Sequence, residues 1–186
     1  MDAKTSIEES IHLIQKIAQG DQTALSAFYD KHASLAYRLA LYILRSQADA
    51  EEVVQEVFMQ IWRKAREYSP KKGNPEAWIT VMTRSRAIDK LRIVRRISRG
   101  YEAVRSEEGA GKEETKSYLP TIVVDSALSK LRMEQRVVLE LAYFKGMTHE
   151  EIAKELAIPL GTAKTRLRDG LKALRELMDV KGKERL

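Results

Sequence analysis

Residues 98–120 divide this sequence in two. On either side, apolar residues recur at three- and four-residue spacing, and inside the segment that pattern stops. The segment holds Gly100, Gly109 and Gly111 among mixed charges, with few large apolar side chains. Such a stretch cannot bury enough apolar surface to offset the entropy of ordering it. It is therefore expected to be a flexible linker. Strand signals are scarce elsewhere, so the predicted fold is all-α. Two small helical domains, 1–97 and 121–186, are expected to flank a linker at 98–120.

The first half reads as a series of helices. One is expected over about Ser6 to Gln19, stopped by Gly20, with Asp21 as the N-cap of the next. Leu25, Phe28 and Tyr29, then Leu35, Leu39 and Tyr42 in a further helical stretch, form buried stripes. A helix over about Ala48 to Glu67 turns Val53, Val54, Val57, Phe58, Ile61 and Trp62 inward. The run Ser69-Pro70-Lys71-Lys72-Gly73-Asn74-Pro75 is a loop. A fourth helix, from about Glu76 to Ile97, buries Trp78, Ile79, Met82, Ile88 and Leu91. Trp78 could instead stack on an unpaired base beside its basic neighbours; a core position is the more ordinary reading.

The second half carries the most specific pattern. After helices bearing Leu128, Leu131, Val137, Val138, Leu141 and Ala142, the run Thr148-His149-Glu150-Glu151 has the form of a capping box. A short helix with Ile152, Ala153 and Leu156 facing inward ends at Ala157-Ile158-Pro159. Proline suits the first turn of the helix that follows, where a missing N–H costs nothing. Two short helices joined this way make a helix-turn-helix, whose second helix enters the major groove. Ala163, Leu167, Leu171 and Leu174 would hold that helix, leaving Thr162, Lys164, Thr165 and Arg168 to reach phosphates or base edges.

Charge is concentrated in two blocks. Asp49, Glu51, Glu52 and Glu56 lie without a base between them, with Glu52, Gln55 and Glu56 on a shared helical face. Arg84 to Arg99 holds seven bases (Arg84, Arg86, Lys90, Arg92, Arg95, Arg96 and Arg99) against one acid, Asp89. That excess equals the net charge of the whole chain, +6. So dense a basic block is a nucleic-acid footprint more often than a chance surface.

Several chemistries drop out. The chain has no cysteine, which removes disulfides, thiolate metal sites and any thiol switch within it. His12, His32 and His149 lie in three separate elements without ligand spacing. No catalytic group, metal site or cofactor is expected, and nucleic-acid hydrolysis would need metal-binding carboxylates or an activated nucleophile. No apolar run approaches the roughly 20 residues of a membrane span, so the expected location is the cytoplasm. A stand-alone helix-turn-helix regulator remains open on these residues, and so does a membrane-surface protein that uses the basic block.

Four motifs in order resemble the extracytoplasmic-function (ECF) class of sigma-70 RNA polymerase sigma factors. Ala50-Glu51-Glu52-Val53-Val54-Gln55-Glu56-Val57-Phe58 resembles the core-binding helix of sigma domain 2. Ala77-Trp78-Ile79 and Arg84-Ser85-Arg86-Ala87-Ile88-Asp89-Lys90-Leu91-Arg92 resemble that domain's promoter-melting and −10-reading segment. Glu134 to Phe144 and Pro159 to Leu167 resemble domain 4. The resemblance implies an alternative sigma factor that is not an enzyme. Its partners would be core RNA polymerase, through the β′ coiled coil and β subunit, and promoter DNA. An anti-sigma protein, in this class often membrane-anchored, would hold it inactive.

The resemblance also assigns residues. Asp49, Glu52, Gln55 and Glu56 would dock on polymerase arginines. Lys71, Lys72, Asn74, Arg84, Arg86, Arg92, Arg95 and Arg96 would contact −10 DNA. Thr162, Lys164, Thr165 and Arg168 would contact the −35 element. Ser85 stands where many members carry Asn, and Asp169 where many carry a base, so neither joins these sets. A 23-residue linker spans roughly 26 Å as a coil and on the order of 75–80 Å extended. Promoter elements about 17 base pairs apart lie roughly 58 Å apart. The free factor is therefore expected to bind a full promoter poorly until polymerase stretches the linker.

Overall fold

A computed structural model of the chain describes residues 3–102 and 128–183. These residues are all-α: seven α-helices and two short 3₁₀ turns, with no strand among them. The chain divides into two compact units, 1–118 and 119–186. Most of the segment expected to be a linker lies outside the described residues.

The first unit holds α1 (Ala3–Ala18), α2 (Gln22–Leu44), α3 (Gln47–Lys64) and α4 (Pro75–Glu102). Gly20 closes α1 at φ +90°, a conformation that favours glycine. Asp21 caps α2, its Oδ1 accepting from Ala24 N at 3.0 Å. The two stretches expected after Asp21 are one helix of 23 residues, because neither glycine nor proline interrupts them. Ser46 caps α3 by accepting from Asp49 N at 3.3 Å. α2 packs against α3 and α4, and Phe28, Ala36, Leu39 and Ala40 of α2, Val53, Val57 and Ile61 of α3, and Ile79, Ala87 and Ile88 of α4 are all buried. Ile14 and Ile17 of α1 are buried with them. Tyr29 stays exposed and offers only its ring, which meets Phe58 edge-on at 4.7 Å.

α1 is also held by a polar seam. His32 Nε2 lies 3.0 Å from Ser10 Oγ, which donates to Ser6 O at 2.9 Å. Lys31 Nζ donates to Ser6 O and pairs with Glu9. Burial, reinforced by Lys31 and opposed by Glu9, lowers the His32 pKa from 6.5 to about 4.

α4 does not stop near Ile97 but continues through Glu102, five residues into the segment expected to be linker. Nothing in Ser98-Arg99-Gly100-Tyr101-Glu102 breaks a helix sharply; one internal glycine costs only about 1 kcal/mol.

The second unit holds α5 (Met133–Tyr143), α6 (His149–Glu155) and α7 (Leu160–Lys183). The capping box is present: Glu151 N donates to Thr148 Oγ1 at 3.2 Å, and Thr148 N donates to Glu151 Oε2 at 2.7 Å. Ala157, at φ +51°, makes the turn. Pro159 precedes the first turn of α7, its carbonyl accepting from Ala163 N at 3.1 Å. Val138, Ile152 and Ala163 form the centre of the helix-turn-helix, and Leu128, Leu131 and Leu139 form a second cluster with Leu167 and Leu174. Leu171 does not join the core but is 49% exposed. It lies about 80° around the helix from Ala163, while Gly170 takes the inward position. A Cβ on Gly170 would come within 3.0 Å of Leu139 Cδ1.

Candidate docking and nucleic-acid interfaces

The acidic face is built by α3. Inward-turned Val53, Val57 and Ile61 fix its rotation, so Asp49, Glu52, Gln55 and Glu56 share the outward side. The structure brings these four together. Glu52, Gln55 and Glu56 line a shallow groove with Met59, Gln60, Arg63, Lys64 and Arg86. Met59 is an exposed apolar residue amid these charges. Two of the acids already have a partner: Lys90 Nζ lies 3.2 Å from Asp49 Oδ1 and 2.5 Å from Glu52 Oε2.

The basic block of α4 does not form one stripe. At about 100° per residue, Arg84, Arg92, Arg95 and Arg96 fall within an arc of about 120°. Arg92 and Arg96 are exposed, and Arg84 and Arg95 are half-buried. Arg86 and Lys90 lie on the other side, toward α3. Arg86 Nε donates to Gln60 Oε1 at 3.0 Å, so the structure places Arg86 in the groove along α3 and away from Arg84, Arg92, Arg95 and Arg96.

The loop before α4 is stapled by residues that spacing alone did not reveal. Tyr68 donates its hydroxyl to Gly73 O at 3.0 Å, and its ring centre lies 5.0 Å from that of Trp78. Burial raises the Tyr68 pKa. Trp78 itself is half-buried. Lys71 and Lys72 stand exposed on a 3₁₀ turn over Pro70–Lys72. Asn74 also caps α4, its Oδ1 accepting from Ala77 N at 2.8 Å, which leaves its amide N–H groups as donors. The Asn-Pro pair at the helix start was the available signal.

On α7, Lys164, Thr165 and Arg168 share an exposed side, and half-buried Thr162 flanks it. Lys172, exposed and four residues after Arg168, extends the same side and was missed; its i+4 spacing was the signal. Arg168 Nε lies 3.2 Å from Asp169 Oδ1, a surface pair that holds the guanidinium weakly. Among the described residues, no group of three His, Asp or Glu side chains is placed to hold a metal, and no helix is long and apolar enough to cross a membrane.

Comparison with known proteins follows these two units. The model of sigma-70 region 2 matches residues 28–97, and that of sigma-70 region 4 matches residues 122–174. The ECF RNA polymerase sigma factor SigK of Mycobacterium ulcerans is 35% identical over 179 residues, covering 90% of this chain and 92% of its own. SigK of Mycobacterium tuberculosis H37Rv is 33% identical over 180 residues, with the same coverage. Among solved structures, Rhodobacter sphaeroides SigE, crystallised with the anti-sigma ChrR, is 25% identical. That match covers 90% of this chain and 97% of the other, with a TM-score of 0.46.

Proposed function

The chain belongs to the ECF sigma factors of RNA polymerase, and from that premise we propose how its surfaces divide the work. It is an alternative sigma factor, a subunit that joins core RNA polymerase and directs transcription initiation at promoters. It acts in the cytoplasm by binding alone, with no reaction or cofactor of its own. The first unit, which holds α1 to α4, forms the polymerase-docking and −10 domain, and the second unit forms the −35 domain.

Docking falls to the outward face of α3. Glu52, Gln55 and Glu56, with Asp49 beside them, meet arginines of the β′ coiled coil through charge-assisted bonds. Arg86 belongs to this groove, supported by its bond to Gln60. The −10 DNA is held by Lys71, Lys72 and the Asn74 amide at the loop, and by Arg84, Arg92, Arg95 and Arg96 on the arc of α4. Thr162, Lys164, Thr165 and Arg168 read the −35 element, with Lys172 on adjacent phosphate. An anti-sigma protein would silence the factor by covering the α3 face.

The observation that carries this reading is one chain holding both an outward acidic face on α3 and an exposed basic face on a helix-turn-helix. A stand-alone regulator has no use for the first. Run-off transcription with bacterial core polymerase on a library of promoter fragments tests it. Transcripts that depend on this protein are expected from a restricted set. Glu52→Lys with Glu56→Lys should abolish them while far-UV circular dichroism stays unchanged. Core polymerase that neither binds the protein nor gains start sites would refute the assignment of surfaces.

A further inference from the structure

Lys90 sits on the helix that carries the arginine arc, yet it faces α3. Its ammonium contacts Glu52 and Asp49 together, two of the four residues assigned to docking. The Lys90 side chain is 20% exposed, while that of Glu52 keeps 57%. The hydrogen bond to Glu52, with help from Asp49 and against the effect of partial burial, holds the Lys90 pKa above the usual lysine value. The group is therefore fully charged at neutral pH. A cation that approaches Glu52 and Asp49 from outside finds both carboxylates already in contact with an internal one.

Resting on the docking reading above, we propose that Lys90 is a specificity-determining residue of the docking face: an internal competitor that a partner's cation must displace from Glu52 and Asp49. The chemistry of the exchange favours one partner group. An ammonium is a compact point charge with three donors. A guanidinium presents five in a planar fork that meets a carboxylate at two points. Exchange of Lys90 for an arginine adds geometric fit that exchange for another lysine lacks. The displaced ammonium stays tethered beside the two carboxylates and repels weakly seated cations. Lys90 thus raises the threshold for docking and selects arginine-bearing surfaces against merely basic ones.

A structural tie between α3 and α4 is the opposing explanation, and it differs in sign. Loss of a tie loosens the docking face and weakens binding; loss of a competitor strengthens it. The test is a fluorescence titration of the full-length protein with core RNA polymerase at two salt concentrations. Lys90→Met keeps the apolar stem and removes the charge. It should bind core polymerase about two- to fivefold more tightly than wild type, the range expected of an exposed ion pair. The gain should shrink at high salt. It should vanish when Lys90→Met is made in a chain that carries Asp49→Asn and Glu52→Gln. Lys90→Arg, which keeps charge and packing and grips the acids through its own fork, should bind less tightly than wild type. Equal or weaker binding by folded Lys90→Met overturns the proposal, as does a gain that survives without the two acids. If Lys90→Met does not fold, wild-type affinity in Lys90→Arg overturns it. Should wild type itself fail to bind core polymerase, the docking reading falls and the proposal with it. Normal wild-type binding with failed Lys90 outcomes overturns the competitor alone.

Discussion

Acid should loosen the first unit through a single histidine. His32 is 3% exposed in the seam between α1 and α2, with its pKa lowered from 6.5 to about 4. Burial is the leading cause and the neighbouring Lys31 charge the next, with Glu9 acting in opposition. The sign follows from which state takes the proton first. Between pH 6.5 and 4 the unfolded chain is protonated at His32 and the folded chain is not, so acid favours unfolding. The contribution of neutral His32 is fully present above pH 6.5. It is lost at about 1.4 kcal/mol per pH unit as pH falls through the window. By pH 5 the loss reaches about 2 kcal/mol. The assay is urea unfolding of the full chain followed by tryptophan fluorescence. Trp62 and Trp78 are the only tryptophans and both lie in the first unit, so the signal reports that unit alone. For a urea slope near 2 kcal/mol/M, the midpoint should fall by about 1 M between pH 7 and 5 through this histidine. His32→Gln can still bond Ser10 and cannot titrate, so it should remove that share of the fall and leave the share due to carboxylates. A His32→Gln chain whose midpoint falls as steeply as wild type refutes the reasoning.

Three further outcomes are expected. Thr83 is fully buried and its Oγ1 has no hydrogen-bond partner. Thr83→Val keeps the shape and removes the orphaned hydroxyl, so it should stabilise the first unit by about 1 kcal/mol in the same fluorescence assay. Asn74→Ala removes the α4 cap and should cost about 1 kcal/mol, whereas Asn74→Asp keeps the cap. Asn74→Asp should leave urea unfolding near wild type yet weaken binding of −10 DNA by the polymerase complex, since a carboxylate cannot donate to phosphate. Gly170→Val places a branched side chain against buried Leu139 and Gln135. Thermal unfolding followed by circular dichroism should show the second unit destabilised by about 2 kcal/mol.

The parts of this molecule that were legible in the sequence are those set by neighbours along the chain. Gly20, Asp21 and the Thr148–Glu151 box act across three or four residues, and the structure has them in those roles. The helix-turn-helix was legible for the same reason: its cap, turn and inward residues are all local. What spacing could not supply is rotation of one helix against another. Leu171 falls at a plausible interval, but Gly170 lets α5 approach so closely that the buried arc is centred elsewhere. Tyr68 was silent because its role depends on a carbonyl beyond a turn and on a ring in the next helix.

The same gap between composition and rotation changes how the charges read. Counted along the chain, α3 is acidic and α4 basic, which suggests two clean surfaces for two partners. In space, Lys90 and Arg86 turn back from α4 to Glu52, Asp49 and Gln60 of α3. The helix assigned to DNA therefore supplies cations to the face assigned to polymerase. With Arg86 and Lys90 turned away, five of the seven bases in the block are left, and Arg84, Arg92, Arg95 and Arg96 are the ones on the described arc of α4. The share of α4 in the salt dependence of promoter binding should follow the reduced number, since each neutralised phosphate contributes about 0.9 to the slope of log K against log salt. A substitution at Arg86 should consequently leave that slope almost unchanged and alter polymerase affinity, whereas Arg96→Ala should lower the slope by about one and leave polymerase affinity intact.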